Sequence, residues 1–112
     1  RWAALLEGED YHAAYAFTDH PPDSSWTPDL IRDVIKSYGE PGSENRVTVE
    51  GRPTDIAQRK EVVRKRNEAR QYVGYVWYDL NLNGFASDLT ATFDLIDSGR
   101  GLSVQLNDIH VM

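Results

Sequence analysis

Alternation of apolar and polar side chains in the last third of the chain constrains the fold more than any other feature. Three such runs, Arg70–Leu82, Ser87–Ile96 and Gly101–Val111, are separated by short turn signals such as Asn83-Gly84. A period of two is typical of β-strands that bury one face, and short Gly-containing breaks join antiparallel neighbours. The sequence therefore predicts an antiparallel meander with one apolar and one polar face.

The phase of the alternation predicts which residues share the buried face: Val76, Tyr78, Leu80, Leu82, Leu89, Ala91, Phe93, Leu95, Leu102, Val104 and Leu106. Ile109 and Val111 are out of phase with this set, so we expect a β-bulge near Asn107–Asp108 that returns both to the core side. The opposite face is predicted to carry Val73, Tyr75, Trp77, Asp79, Asp88, Thr90, Thr92 and Asp94.

The residues before the meander favour helices. Trp2–Phe17 has apolar residues at helical spacing, with a break at Gly8 and a capping residue at Asp10. A helical layer next to a one-faced sheet predicts an α+β fold, with N-terminal helices packed on a curved antiparallel sheet of about four to six strands. The length of 112 residues suits a single domain spanning residues 1–112.

Another helix has clear signals at its first residues. Thr27 is a suitable N-cap, Pro28 suits the first helical position, and Asp29 stabilises the positive end of the helix dipole. Arg46–Glu50 is a short strand candidate. Thr54–Arg70 leaves two alternatives open, a helix over the whole segment or a strand over its residues 60–66.

Composition excludes several classes of function. The net charge is −6 and the pI is about 4.9, which disfavours nucleic acids and anionic lipids as partners. No run approaches the roughly 20 apolar residues of a membrane-spanning helix, so no membrane insertion is expected. Cysteine is absent, which excludes disulfides and thiolate chemistry without assigning a compartment. His12, His20 and His110 lack ligand spacing, so neither a metal nor a cofactor is expected.

Leu5–Tyr15, with the sequence LLEGEDYHAAY, resembles the opening of the NTF2-like (cystatin-like) superfamily, and the helix after Thr27 takes the place of its second helix. The resemblance implies a cone with a cavity between a bent sheet and the helices. The superfamily includes isomerases, dehydratases and epoxide hydrolases. It also includes non-catalytic dimerisation modules and bacterial toxin-immunity proteins, so membership alone does not choose a function.

Two sets of candidate site residues follow from this pattern. Large aromatic residues on a polar sheet face are costly to leave exposed, so an interface is predicted at Val73, Tyr75, Trp77 and Thr92. A ligand-binding site, as the alternative, would have Tyr15, Tyr78 and Asp79 near the mouth of the cavity. No catalytic residues are assigned, and core packing is favoured for Tyr11 and Tyr72 as for the other tyrosines.

Three further groups have a structural and a functional interpretation. Asp79 and Asp94 share the polar face and could form an acid–base pair, and Asp108 and His110 could form a base with its orienting carboxylate. The sequence between Arg59 and Arg70 contains six of the twelve basic residues. A structural role is favoured for the first two groups, and a solvated face for the basic segment, although that segment could also dock an acidic partner.

The favoured function is a non-catalytic binding or interaction domain that uses the sheet face for a protein partner or for a second copy of itself. The first alternative is a cavity protein or enzyme of the NTF2-like type with a small apolar ligand. The second alternative is an immunity-type inhibitor that presents acidic residues to a basic toxin.

Overall fold

The computed structural model describes residues 1–39, 45–67, 71–97, 99 and 101–111, with residues 66 and 67 described by their backbone alone. Over these ranges the protein is an α+β fold in which three short N-terminal helices pack on an open antiparallel sheet of five strands. This confirms the predicted fold class. Parts of the predicted turns after Arg66 and Asp97 lie outside the described residues.

The first two helices are separated where the sequence predicts a break. Helix α1 spans Trp2–Glu7 and helix α2 spans Tyr11–Phe17. Between the two helices, Glu9 has a left-handed φ of 56°. Asp10 caps α2, because its Oδ1 accepts a hydrogen bond from the backbone N–H of Ala13 at 3.1 Å.

Helix α3 spans Pro28–Lys36 and begins at the predicted residue. The Thr27 hydroxyl accepts a hydrogen bond from the backbone N–H of Leu30 at 3.0 Å, and Asp29 lies in the first turn. Ile31 and Ile35 point into the core, where both are completely buried. Their spacing of four residues places them on one helix face.

The sheet is organised around its third strand. Strands β1 (Val47–Thr48), β2 (Lys60–Asn67), β3 (Tyr72–Leu82), β4 (Phe85–Asp97) and β5 (Leu102–Val111) all pair in antiparallel fashion. Both β1 and β2 pair with the same side of β3, whereas β4 pairs with its other side and β5 follows β4. Of the two interpretations of Thr54–Arg70, the strand is therefore confirmed and the helix is wrong.

The core lies between the helices and the face of the sheet that the alternation predicts. The completely buried apolar side chains there include Leu6, Ile31, Ile35, Leu80 and Ala91. Trp2 packs edge-to-face on Phe93 with ring centroids 5.0 Å apart. The helices therefore cover the predicted apolar face.

The bulge expected near Asn107 is present. Thr92 pairs with Asp108 but Phe93 pairs with Leu106, which leaves Asn107 as the extra residue of β5. Ile109 is consequently buried on the core side. Val111 and Leu102 are 53% and 61% exposed, because these two residues lie at the ends of the sheet's outermost strand.

A segment of the N-terminal half covers part of the β5 edge. The backbone N–H of Asp19 donates to the carbonyl of Val104 at 2.8 Å, and the Trp26 indole donates to the carbonyl of Asn107 at 2.9 Å. Ser103 adds a hydrogen bond to the Asp19 carboxylate at 2.7 Å. These contacts occupy backbone groups that would otherwise be free to pair with another strand.

Candidate functional site

The face of the sheet opposite the helices, here called the outer face, carries polar and aromatic side chains. The pairing register aligns these residues in three rows across the strands: Val63, Tyr75, Asp94 and Gln105; Glu61, Trp77, Thr92 and Asp108; and Asp79, Thr90 and His110. In the described ranges the helices lie on the other side of the sheet. The outer face is therefore the face of the sheet that the helices do not cover.

Asp79 is the buried centre of this face. Its Oδ1 accepts hydrogen bonds from Thr90 Oγ1 at 2.6 Å and from Trp77 Nε1 at 2.9 Å. Its Oδ2 accepts the backbone N–H of Arg59 at 2.7 Å, and its own N–H donates to the carbonyl of Arg59 at 3.0 Å. Because its oxygens accept three hydrogen bonds, the Asp79 carboxylate has a structural role: it holds the Arg59 backbone and the Trp77 ring in place.

The Trp77 ring is held from a second direction by Arg59. The guanidinium carbon lies 4.6 Å from the ring centroid, which is the geometry of a cation–π contact. Arg59 also forms an ion pair with Glu61 and donates a hydrogen bond to it. This hydrogen bond raises the pKa of Arg59 above its ordinary value, and Tyr75 makes a smaller contribution. Trp77 is thus a half-buried aromatic with a fixed orientation.

Asp94 is paired with Tyr75, in the row next to that of Trp77. Burial raises the pKa of the Asp94 carboxyl group above its ordinary value. Burial also raises the pKa of Tyr72, and the negative charge of Asp94 adds to that shift. A partly desolvated carboxylate beside tyrosines favours a cationic group as its contact, because a cation would compensate the charge that the fold has partly removed from water.

Two shallow depressions lie at opposite ends of the outer face. One has a volume of about 300 Å³ and lies beside Trp77 and Asp79, with Ile56 and Ala57 on its far wall. The other, of about 210 Å³, lies beside Asp94 where Pro21–Trp26 passes the β5 edge. The aromatic and acidic side chains therefore lie between two depressions.

The structure brings three of the four predicted interface residues together. Tyr75, Trp77 and Thr92 occupy neighbouring positions on β3 and β4, with Trp77 and Thr92 directly paired. Thr92 is only 9% exposed and lies at the base of the surface. Val73 lies where the pairing of β3 with β4 shifts between Tyr72 and Gly74, so it is outside the aligned rows.

The three predicted ligand-binding residues do not converge on one cavity. Tyr78 and Asp79 are consecutive on β3 and point to opposite faces of the sheet. Tyr15 stacks on the His20 ring with centroids 3.8 Å apart. A cavity beside Tyr78, bounded by Trp2 and Phe93, has a volume of about 120 Å³. That volume is well below the roughly 300 Å³ at which small-molecule sites usually begin.

The two predicted carboxylate arrangements have different outcomes. Asp79 pairs with Thr90, whereas Asp94 pairs with Tyr75, four residues away along β3. At about 3.4 Å per residue, that offset separates the two positions by about 14 Å, too far for an acid–base pair. Asp108 and His110 do meet, with Oδ2 and Nδ1 3.0 Å apart on the outer face.

A polar contact that the sequence did not predict joins α3 to the sheet. The Tyr38 hydroxyl donates a short hydrogen bond to Asp88 Oδ1, and this bond raises the pKa of Tyr38 above its ordinary value. Asp88 lies where the pairing of β3 with β4 shifts by two residues, between Ala86 and Thr90. The alternation of the sequence gives no sign of this irregularity.

The geometry defines an α+β domain with an open, acidic and aromatic sheet face. The chain belongs to a family described as a domain of unknown function (DUF7668), which it matches over residues 3–112. Comparisons with curated proteins and with solved structures gave no significant match. In the described part of the chain, no helix has the length and apolar character needed to cross a membrane.

Proposed function

We propose that this chain is a non-catalytic protein-binding domain, and that its outer face receives a partner protein with basic side chains. The observation that carries the proposal is the fixed, half-buried Trp77 ring beside Tyr75 on a sheet face that the helices leave open. Tyrosine and tryptophan are enriched among the residues that dominate binding energy. A side chain already held in one orientation loses little entropy when a partner binds.

The charge of the outer face favours a basic partner over a second copy. Asp94 lies on β4 opposite Tyr75, Asp108 lies one strand further away on β5, and the net charge of the chain is −6. A two-fold contact through this face would place two faces of the same charge against each other, and like charges across an interface oppose association. Lysine or arginine side chains of a partner would instead pair with these carboxylates.

A basic toxin is a specific partner class that this face would suit. An immunity-type inhibitor presents carboxylates to the cationic surface of its toxin, and Asp94 and Asp108 lie on the outer face. Long-range attraction between opposite charges also raises association rates, which an inhibitor of this type requires. This candidate is a special case of the first proposal and has the same binding surface.

We also propose that the domain is a compact form of the NTF2-like fold. The order of elements supports this proposal, with a broken first helix, a capped helix and then a short strand before the antiparallel meander. An experimental structure that superposes on NTF2-like folds with the same strand order would support the assignment, and a different strand order would contradict it.

The binding proposal is tested by affinity capture from the native host with two matched double variants. Tyr75→Ala with Asp94→Lys alters the outer face, whereas Phe17→Ala with Asp33→Lys removes an exposed aromatic and an exposed carboxylate elsewhere. We expect the outer-face variant to lose a partner that the wild type retains, and the control variant to keep it. Equal retention by both variants would contradict the proposal.

A further inference from the structure

Strand β2 forms an exposed edge of the sheet. In the described part of the chain, β3 is the strand that pairs with β2, from Lys60 opposite Tyr78 to Asn67 opposite Tyr72. In an antiparallel ladder, alternate residues direct their N–H and C=O groups away from the paired strand. The side of β2 away from β3 is therefore a template to which another extended segment could add by main-chain hydrogen bonding.

The side chains on this edge are mainly basic, and the acidic Glu61 is paired with Arg59. Lys60, Arg64 and Lys65 are exposed, and together with the β2 backbone they define what we call the basic edge. Val62 lies between them on the helix-side face of the strand, where it is 63% exposed. The alternation of the strand places Lys60, Val62 and Arg64 on one face.

The basic side chains of β2 decide which kind of strand could pair with this edge. Lysine on an edge strand usually discourages pairing with similar edges, because like charges would face one another. Pairing of β2 with β2 of a second copy would create that repulsion, and residues 19–26 already cover part of the β5 edge. An acidic strand would instead place carboxylates beside Lys60 and Arg64 and an apolar side chain beside Val62.

We propose that β2 binds an extended acidic segment of a partner protein by antiparallel strand addition. The segment would carry acidic residues two positions on either side of a central apolar residue, so that all three lie on the face of Lys60, Val62 and Arg64. This site is distinct from the outer face and does not depend on Tyr75 or Trp77. A partner could use either surface alone.

The probe for this proposal is a capped octapeptide with the sequence TEETVTET. Alternate residues of an extended peptide direct their N–H groups to opposite edges. We therefore use two N-methylated versions, each of which removes the N–H groups of one edge. We expect the unmodified peptide to bind and one N-methylated version to bind at least tenfold more weakly. The other version should bind like the parent, because its lost N–H groups point away from β2.

The protein variants separate strand addition from general charge attraction. Lys60→Glu, Arg64→Glu and Lys65→Glu together should abolish binding, whereas the same reversal at Arg1, Arg46 and Arg52, all exposed, should preserve it. In the wild type, the alternate β2 amides not bonded to β3 should gain hydrogen-exchange protection when the peptide binds. This last measurement is independent of whether the basic-edge variant folds.

Several results would overturn the proposal. Equal binding by both N-methylated peptides, unchanged exchange of the β2 amides, or equal loss in the two triple variants would each show non-specific attraction. Tighter binding of an RNA oligonucleotide than of the peptide would assign the basic edge to phosphates instead. The peptide contacts β2 alone, so the peptide-binding result does not depend on the affinity-capture test of the outer face. If the outer-face variant keeps its partner, the peptide test of β2 still stands.

Discussion

The Trp77 indole N–H donates to Asp79 Oδ1 at 2.9 Å, so the largest aromatic ring of the outer face is fixed by a buried carboxylate two residues away on the same strand. The two side chains point the same way because alternate residues of a strand share a face. The relationship makes Asp79 a positioning residue for the proposed binding surface. It also explains why a charged group is buried in this sheet.

Replacement of Asp79 should lower the free energy of unfolding. Asp79→Ala leaves the donors of Trp77, Thr90 and Arg59 without their acceptor, and we expect a loss of about 3 kcal/mol in unfolding free energy. Urea denaturation followed by tryptophan fluorescence would measure it. Asp55→Ala, at an exposed position, is the control and should change stability little. Similar small effects for both variants would contradict the account of Asp79.

The contact between Tyr38 and Asp88 should stabilise the packing of α3 on the sheet. Tyr38→Phe removes the donor from a part-buried carboxylate, and we expect it to cost about 1 to 2 kcal/mol. A double-mutant cycle with Asp88→Asn should show that the two effects are not additive. Tyr11→Phe is the matched control, because the buried Tyr11 hydroxyl has no hydrogen-bond partner in the described residues. Additive effects in the cycle would contradict the contact.

The raised pKa of Asp94 predicts a pH-dependent effect. Burial makes the ionised form less favourable in the folded protein, so folding binds protons more tightly at this site and stability falls as pH rises through this pKa. Asp94→Asn should therefore raise the melting temperature at pH 7 and have little effect at pH 3, where the carboxyl group is protonated. A destabilising effect of Asp94→Asn at pH 7 would contradict this prediction.

Gly74 should be required for the pairing of β2 with β3. A Cβ atom at Gly74 would lie 2.1 Å from the carbonyl oxygen of Val63, so Gly74→Ala must separate the two backbones. We expect a loss of about 3 kcal/mol or more, together with faster exchange of the β2 amides. Gly84→Ala, where φ is +83° but no atom is near, should cost only about 1 to 2 kcal/mol. Equal costs would contradict the close approach.

Alternation predicted the fold well because the apolar residues of β3 to β5 lie on one side of the sheet, against the helices. Even the bulge at Asn107 follows from the phase, since Leu106 and Ile109 can both reach the core only if one residue is extra. The identity of β2 did not follow, because its segment has good helix formers and few apolar residues. Its pairing depends instead on the close approach at Gly74, which involves residues distant in sequence.

The site was predicted less completely than the fold. The alternation placed Tyr75, Trp77 and Asp79 on one face, and this position is confirmed. The role of Asp79 was missed, because one of its donors is the backbone of Arg59, in a segment without regular structure. The contact between Tyr38 and Asp88 was also missed, because Asp88 lies at a shift in strand pairing and no periodic pattern predicts such an irregularity.

Site-specific photocrosslinking in the native host tests the central claim most directly. A photoreactive phenylalanine derivative would replace Val63 or Tyr75 on the outer face, and Phe17 or Asp33 on the helix side. The account predicts that the outer-face positions crosslink to one discrete protein and that the helix-side positions do not. Crosslinks to that protein from the helix-side positions alone would contradict it.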